Sequence, residues 1–254
     1  MAAEIHLLNS SSKGNCCLIR NGSDLFLIDA GVSAKRIRTG LAELGYDLSA
    51  VRCIFLTHEH SDHIRGLETL YHLIGVPLYA PSACFPEIRR CAPAASSFLV
   101  PFNPGDSASL QETRLYAVAT PHDALGSVGF RMDLNGETAA YFTDMGHLTE
   151  PVVRALSGCR RVVIESNYDP DLLRTGPYPP DLKRRIAGPF GHLSNTECAS
   201  LLPHLLRHGT EKILLAHLSE QNNTPAVALE TCAAHLPDPS CVSVASPCQT
   251  VSFC

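Results

Sequence analysis

Apolar residues along the chain form two kinds of pattern, short continuous runs and stretches with helical spacing. The runs are rich in β-branched residues, and each ends with an acidic residue or a histidine just past its last apolar position. If they are neighbouring strands of buried sheets, their polar ends collect at one rim, where open α/β folds place ligand sites. The five runs are LFLID ending at Asp29, CIFLTH at His58, AAYFTD at Asp144, RVVIE at Glu165 and KILLAH at His217.

Between these runs, apolar residues recur at the spacing of one helix face. Ser194 with Glu197 forms a capping-box sequence, and Thr224 precedes a proline at the first helical position. Strands alternating with helices predict an α/β fold, while NPGD at 103–106 and LNGE at 134–137 predict hairpin turns. Mixed sheets with helices on the outside are therefore expected. The predicted helices cover residues 34–44, 63–74, 149–157, 194–208 and 224–235.

The composition is that of an ordinary globular chain, with 254 residues, 45% of them hydrophobic and 18% charged. No change of composition marks a linker, so residues 1–254 are predicted to form a single domain. The N-terminal stretch has no signal-peptide pattern, and no apolar run approaches the ~20 residues that a membrane helix needs. These features predict a cytoplasmic protein with no membrane partner.

Cysteine content argues against two kinds of site, whereas charge does not restrict the substrate. The eleven cysteines are odd in number and include no CxxC pair, which argues against a disulfide framework or a cysteine-bound zinc. A net charge of -5 gives no overall basic field for nucleic acid, although KRIR at 35–38 and KRR at 183–185 supply local positive charge. Charge therefore leaves the substrate open.

The densest group of polar residues is THEHSDH, which follows the apolar run CIFL. His58 and His60 are two apart, so both rings face one side if the chain stays extended there. Asp62 and His63 then project from the turn that starts the next helix. Four ligands in six residues exceed what one tetrahedral ion uses together with a reactive water, so two neighbouring ions are predicted. Imidazoles and carboxylates suit zinc, manganese or iron.

This cluster resembles the HxHxDH signature of the metallo-β-lactamase superfamily, whose fold is a four-layer αββα sandwich. Members that reduce oxygen at a diiron site resemble HxExD instead, so His60 favours hydrolysis over redox chemistry. The remaining superfamily motifs match in order along the chain. They are Asp29 in IDAG, His122 in TPHDA, Asp144 in YFTDMG and His217 in LLAHLS.

The resemblance implies two divalent ions that share a bridging hydroxide and the bridging carboxylate of Asp144. Asp29 is expected to support the loop that contains THEHSDH, here called the ligand loop, without binding an ion itself. Glu165 is expected to support a ligand in the same indirect way. The implied ligands of the first ion are His58, His60 and His122, and those of the second are Asp62, His63 and His217.

A further histidine lies in GPFGHLSN at 188–195, directly before a predicted helix. In the phosphodiesterase branch of the superfamily, which includes RNase Z, a similar His-Ser/Thr loop precedes the final ligand and is assigned to the leaving group. This resemblance implies that His192 protonates the departing oxygen or binds the phosphate, while Asp62 orients the hydroxide.

Within the superfamily, LNSSSKGNCCLI, PHDA, GHLSN and LSEQNN resemble the YycJ/WalJ subgroup, single-domain enzymes described as DNA exonucleases acting from the 5′ end. Ser12, Lys13, Asn15 and His192 are then expected to contact substrate. The opening loop of the subgroup resembles SGSSGN, whereas here Ser11 and Lys13 stand in place of a glycine and a serine. Lys13 can offer a phosphate a positive charge.

These comparisons leave several functions open. Segment 145–191 is too short for the β-CASP insertion of the RNase J group, which favours an open groove that admits a DNA end. The nearest alternative is the same chemistry on a small cyclic phosphodiester, as in PhnP-like enzymes. A thioesterase, a lactamase and a metal-dependent binding module also remain, and protein partners cannot be read from the sequence.

Overall fold

The computed structural model describes residues 3–247 and 249–253, and the chain divides into two compact units. No helix among these described residues is long and apolar enough to span a lipid bilayer. The prediction of a single domain stays a prediction. Unit 1 comprises the described residues of Met1–Ala117, Ala124–Val128 and Ser246–Cys254. Unit 2 comprises Val118–Asp123 and Gly129–Ala245.

Strands and helices follow one another along both units. The strands are β1 (Glu4–Ser11), β2 (Gly14–Asn21), β3 (Asp24–Ile28), β4 (Cys53–Phe55), β5 (Leu78–Ala80), β6 (Leu99–Pro101), β7 (Ser107–Ser109), β8 (Thr113–Ala119), β9 (Val128–Leu134), β10 (Glu137–Phe142), β11 (Arg161–Glu165), β12 (Lys212–Ala216), β13 (Val242–Val244) and β14 (Val251–Ser252). The helices are α1 (Ala34–Glu43), α2 (Ser61–Ile64), α3 (Leu67–Tyr71), α4 (Phe85–Cys91), α5 (Glu150–Leu156), α6 (Pro170–Thr175), α7 (Pro180–Ile186), α8 (Asn195–Arg207) and α9 (Pro225–Ala233).

Unit 1 contains a seven-stranded mixed sheet in the order β14-β1-β2-β3-β4-β5-β6. The strands from β14 to β3 are antiparallel, and those from β3 to β6 are parallel. Every residue of β3 and β4 is buried, as expected for strands covered on both faces. Because β3 and β4 are parallel, Asp29 and the THEHSDH loop leave the same edge of the sheet. The Asp29 amide confirms this by donating to Phe55 O at 2.8 Å.

Unit 2 contains the successive neighbours β13-β12-β11-β10-β9. Strand β9 is antiparallel to β10, and β10 to β13 are parallel. Side chains from α5, α8 and α9 pack with the strands in one buried apolar cluster. The parallel register pairs Phe142 with Ile164 and Glu165 with Ala216, so Asp144, Glu165 and His217 come to the same edge. Each unit thus combines a sheet with helices, and the predicted α/β class is confirmed.

The predicted strands and four of the five predicted helices are confirmed. The five apolar runs form β3, β4, β10, β11 and β12, and the LNGE hairpin joins β9 to β10. Ser194 and Glu197 form the expected reciprocal capping box at α8. The Thr224 hydroxyl accepts from Val227 N at the start of α9.

Two local predictions were wrong. The single helix expected over 63–74 is interrupted between α2 and α3, because the Gly66 amide donates to Ala30 O and a Cβ at Gly66 would lie 2.1 Å from Val32 O. The turn at 103–106 is not a hairpin, since β6 and β7 belong to different sheets. The nearby hairpin instead joins β7 to β8, with Leu110 N donating to Thr113 O.

Three motif residues at strand ends have left-handed backbone conformations. The φ angles are 61° for Asp29, 60° for Asp144 and 57° for His217. The other described non-glycine residue with positive φ is Asn135, in the tight turn between β9 and β10. A residue with a Cβ pays about 1–2 kcal/mol for this conformation, less for aspartate and asparagine, and such strain concentrates at functional sites.

Candidate functional site

In unit 1, Asp29 anchors the start of the THEHSDH loop. Its Oδ1 accepts from the Thr57 amide at 2.9 Å and from the Thr57 hydroxyl at 3.0 Å. Its Oδ2 accepts from His63 Nδ1 at 2.8 Å. All three side chains are fully buried, so these bonds are shielded from competing water. The carboxylate therefore fixes both the first turn of the loop and the orientation of one imidazole.

The histidines of this loop form a compact group. The His58 ring centroid lies 4.6 Å from that of His60 and 4.1 Å from that of His63. Strand β4 ends at Phe55, but the backbone at His60 is still extended, with φ -61° and ψ 148°. His58 Nδ1 donates to the Thr57 hydroxyl oxygen at 3.0 Å. The expected adjacency of His58 and His60 is therefore present in unit 1.

Asn15 and Gly31 hold the second half of the loop in place. The Asn15 amide nitrogen lies 3.3 Å from Asp62 Oδ2 and 3.2 Å from His63 Nε2. A Cβ at Gly31 would lie 1.5 Å from the carbonyl oxygen of Asp62, so only glycine permits this backbone approach. Asn15, which was predicted to bind substrate, is fully buried. Its side chain also bonds to the Ser11 backbone, accepting from Ser11 N at 3.2 Å and donating to Ser11 O at 3.0 Å. Ser12 and Lys13 are exposed.

Glu59, the acidic residue between His58 and His60, points to a different set of partners. One carboxylate oxygen accepts from the Leu125 amide at 3.0 Å, and the other from the Cys84 thiol at 3.1 Å. Burial and the neighbouring Glu59 carboxylate raise the pKa of Cys84, which keeps the thiol protonated as a donor. Glu59 therefore tethers the middle of the loop to the rest of unit 1.

In unit 2, four predicted residues converge at the edge formed by β10, β11 and β12. Ligand atoms of Asp144, Glu165, His192 and His217 all lie within 4.8 Å of one another. Asp144 Oδ1 is 3.5 Å from His217 Nε2 and 3.7 Å from Nε2 of His122. These separations exceed a hydrogen bond, and they are close to the ~3.4 Å between two ligands of one tetrahedral ion with bonds of 2.0–2.2 Å.

Glu165 is the central acceptor of this group. Its Oε1 accepts from Nδ1 of both His192 and His217, each at 2.8 Å. Its Oε2 accepts from the amides of Met145 at 2.9 Å and Leu193 at 3.0 Å. Complete burial by itself would raise the pKa of Glu165, but the positive charge of His192 and the hydrogen bonds from His192 and His217 hold that pKa well below its usual range. The group is therefore an ionised carboxylate that orients two imidazoles.

His122 lies on the segment between β8 and β9 and is oriented by the backbone. Its Nδ1 donates to Gly191 O at 2.9 Å. Burial is the main cause of the lowered pKa of His122. The ring is therefore neutral at physiological pH and keeps a lone pair that can bind a metal ion. Gly191 also precedes His192 in the chain. The same turn therefore orients His122 and positions His192.

Four buried histidines share the orientation that metal-binding histidines adopt. In each, Nδ1 donates to a protein oxygen, which makes Nε2 the nitrogen with the lone pair. The donor set of each unit therefore fits a divalent cation. The acceptors are Thr57 Oγ1 for His58, Asp29 Oδ2 for His63, Gly191 O for His122 and Glu165 Oε1 for His217.

Sequence reasoning missed residues that act through hydrogen bonds. The Thr57 hydroxyl donates to Asp29 and accepts from the ring of His58, and so links the two side chains. Thr57 was not predicted as a site residue, although it is part of the THEHSDH motif. Asn167 donates to His217 O at 2.7 Å, with its amide nitrogen 3.3 Å from His217 Nδ1. Its position in the SNYD stretch after Glu165 was the available signal. The Gly191 carbonyl gave no signal, because a backbone oxygen has no residue-type signature.

Comparison with known proteins agrees with this geometry. Residues 25–218 match the beta-lactamase superfamily domain. The chain is 30% identical over 231 residues to exodeoxyribonuclease YycJ of Bacillus anthracis, covering 90% of this chain and 87% of that protein. Among solved structures it is similar to the metallo-beta-lactamase fold protein YhfI of Bacillus subtilis, with a TM-score of 0.77, 15% identity and full coverage of both chains. It is also similar to a diphosphatase of the PhnP family, with a TM-score of 0.72, 17% identity and coverage of 100% and 98%.

The match over residues 25–218 includes every predicted metal ligand, and the fold of YhfI agrees with the class predicted from the sequence. The expected resemblance to YycJ is confirmed over nearly the whole length of both proteins. The chain therefore belongs to the beta-lactamase superfamily and is a metal-dependent hydrolase.

Proposed function

We propose that this enzyme is a dinuclear phosphodiesterase that removes nucleotides from the 5′ end of DNA. The observation that carries the proposal is the shared hydrogen bonding of His192 and His217 to Glu165 Oε1. It holds a partly exposed imidazole beside a buried ligand imidazole, and so gives the site a positioned proton donor for a leaving oxygen. The 30% identity to an exodeoxyribonuclease supports DNA as the substrate.

The proposed metal ligands are those implied by the superfamily pattern. One ion would be held by His58, His60, His122 and Asp144, and the other by Asp62, His63, His217 and Asp144. The Nδ1 bonds of four of these histidines support the assignment, since each ring already has its Nε2 directed away from its anchoring oxygen. Two bound divalent cations supply a water of lowered pKa and positive charge for the phosphate oxygens.

Two residues have proposed catalytic roles. Asp62 orients the attacking water, and His192 donates a proton to the departing oxygen or binds the phosphate. His192 suits this role because its Nδ1 is occupied by Glu165 while its side chain is 22% exposed, which leaves Nε2 for the substrate. Asp29 and Glu165 act indirectly, by orienting His63 and by orienting His192 with His217.

The opening loop is the proposed contact with the DNA backbone. Ser12 and Lys13 are exposed next to Asn15, whose amide nitrogen lies near the Asp62 carboxylate. A lysine ammonium in that place offers a point charge to a phosphate. Asn15 itself is better suited to holding the ligand loop, since it is buried.

The test is turnover by metal-reconstituted protein on 5′-labelled single- and double-stranded DNA. Bis(p-nitrophenyl) phosphate and a 2′,3′-cyclic nucleotide are assayed beside them, and Asp144→Asn serves as the blank because asparagine tolerates the positive φ at this position. Stepwise release of nucleotides from the 5′ end, lost in the blank, is the expected result.

Turnover of the small diesters alone would replace the nuclease assignment with a small-molecule phosphodiesterase. Absence of turnover on every substrate, with two ions bound, would reject phosphodiester hydrolysis and direct attention to thioesters. Binding to DNA through several phosphates also predicts a steep loss of affinity with salt, which a small diester would not show.

A further inference from the structure

Phe190 lies two residues before His192, in the turn that follows α7, and its side chain is 57% exposed. All nine phenylalanines are in the described part of the chain, and the other eight are buried or half-buried. A single exposed apolar residue is ordinary on a protein surface. What distinguishes Phe190 is the way its backbone is held and its position beside the proposed proton donor.

Every carbonyl of the turn 188–191 accepts a hydrogen bond within unit 2. The Asp123 amide donates to Phe190 O at 2.9 Å, and this bond joins the turn directly to the segment that contains His122. Four consecutive bonded carbonyls make this a fixed turn, so the exposure of the Phe190 ring is a feature of the fold. The other three donors, each at 2.9 Å, are Gly191 N to Gly188 O, His147 Nδ1 to Pro189 O and His122 Nδ1 to Gly191 O.

Close packing of the backbone prevents the turn from moving inward. A Cβ at Gly146 would lie 2.4 Å from Pro189 O, and a Cβ at Gly191 would lie 2.1 Å from Ile186 O. Two glycines are thus required for the backbone to pack against itself on either side of Phe190. The Cα atoms of Phe190 and His192 are at most ~7 Å apart, since two trans peptide units separate them.

Positive charge accompanies the exposed ring. The last turn of helix α7 contains the KRR stretch at 183–185, and both Arg184 and Arg185 are exposed. Arg185 pairs with Asp123 at 2.5 Å, and Arg184 pairs with Asp181. Surface ion pairs of this kind are weak and exchange readily, so they do not exclude a phosphate. Exposed aromatic rings together with positively charged side chains are the usual arrangement for binding a single nucleic-acid strand.

We infer that Phe190 is a stacking platform for a nucleobase of the substrate, and that the site therefore selects phosphodiesters that carry a base near the scissile bond. The inference rests on the proposed function and names the part of the substrate that the site recognises. The ring stacks on a base, while His192 and the ligands act on the adjacent phosphate. Stacking does not distinguish one base from another, so recognition is expected to be independent of sequence.

The first experiment compares two oligonucleotides, one intact and one lacking the base next to the scissile phosphate. The wild-type protein should prefer the intact strand by about 5- to 150-fold in kcat/KM, and Phe190→Ala should lose this preference. Phe190→Tyr should retain it, and Leu172→Ala, an exposed apolar residue elsewhere in unit 2, should behave as wild type. Full retention of the preference in Phe190→Ala would overturn the inference.

The second experiment reads stacking without turnover. The chain contains no tryptophan, so Phe190→Trp introduces a unique fluorophore at the platform. Binding of the intact oligonucleotide to the metal-reconstituted protein, with Asp144→Asn added to prevent turnover, should quench this fluorescence, and the abasic strand should quench it less. Equal quenching by both strands would contradict stacking. If no DNA were hydrolysed but quenching depended on the base, the nuclease assignment would be rejected, and the stacking of Phe190 on a nucleobase would still be supported.

Discussion

Oδ2 of Asp29 lies 2.8 Å from Nδ1 of His63, and both side chains are fully buried. Because Asp29 also accepts from Thr57, one carboxylate connects the end of β3 to both the first and the last histidine of the ligand loop. The aspartate therefore determines the tautomer and direction of a proposed ligand and is not itself one of the proposed ligands.

Asp29→Asn should weaken metal binding by about 10- to 100-fold, because the amide keeps the shape and the positive φ but removes the charged acceptor from His63. Competitive titration with a chelator measures the change. Asp24→Asn is the matched control, since Asp24 is a buried carboxylate on the same strand that accepts from the amides of Gln111 and Glu112. An equal loss of metal affinity in both variants would show a general effect on β3.

His192→Ala should lower kcat by about 10²- to 10⁴-fold while metal content is unchanged, because it removes a proton donor and not a proposed ligand. Turnover and metal content measured on the same samples give the comparison. His204→Ala, which removes a histidine that contacts Ser157 Oγ at 2.9 Å, is the control for loss of an imidazole in unit 2. Parallel loss of activity and metal in the His192 variant would make it a ligand or structural residue.

Gly31→Ala should reduce metal affinity and stability together, since the added Cβ meets the Asp62 carbonyl at 1.5 Å and must displace the ligand loop. Gly45→Ala is a useful comparison. Gly45 has a φ of 80° and no atom within 4 Å of its Cβ position, so alanine there costs about 1–2 kcal/mol through backbone conformation alone. Metal titration and thermal unfolding should separate the two variants, with the metal affinity of Gly45→Ala unchanged.

Glu4→Gln should make the free energy of unfolding less dependent on pH in the acidic range. The hydrogen bond from Arg20 at 2.5 Å is the main cause that lowers the pKa of Glu4 from 4.5 to about 2. A depressed pKa contributes stability that is fully present above 4.5 and is lost as pH falls toward 2. Thermal unfolding of metal-free protein between these pH values tests the effect, with Glu230→Gln on the exposed side of α9 as control. A larger loss of stability at acidic pH in Glu4→Gln than in wild type would refute the stabilising role of the Glu4 carboxylate.

Strand ends, and the polar residues that follow them, could be predicted because each has a local signature. A buried strand is a continuous apolar run, and the first polar residue after it stands out, as Asp29 and His217 do. Parallel pairing then brings such residues to one edge. This is why the sequence predicted which residues of each unit lie together.

Features that depend on close approach of distant backbone could not be predicted. Gly66 lies within a helical pattern, and only its contacts with Ala30 and Val32 break the helix there. The acceptor for His122 is a carbonyl 69 residues away, which no pattern of side chains reveals. Phe190 is similar, since a phenylalanine beside glycine and proline gives no indication of whether it is buried or exposed.

The positive φ angles of Asp29, Asp144 and His217 restrict how these positions can change over evolutionary time. In such a conformation glycine is the residue with the lowest backbone free energy, and asparagine is next. A lineage released from metal binding would therefore drift toward glycine or asparagine at these three sites. A histidine that persists there, and to a smaller degree an aspartate, does so against the conformational preference of its own backbone, and its identity records selection for what the side chain binds.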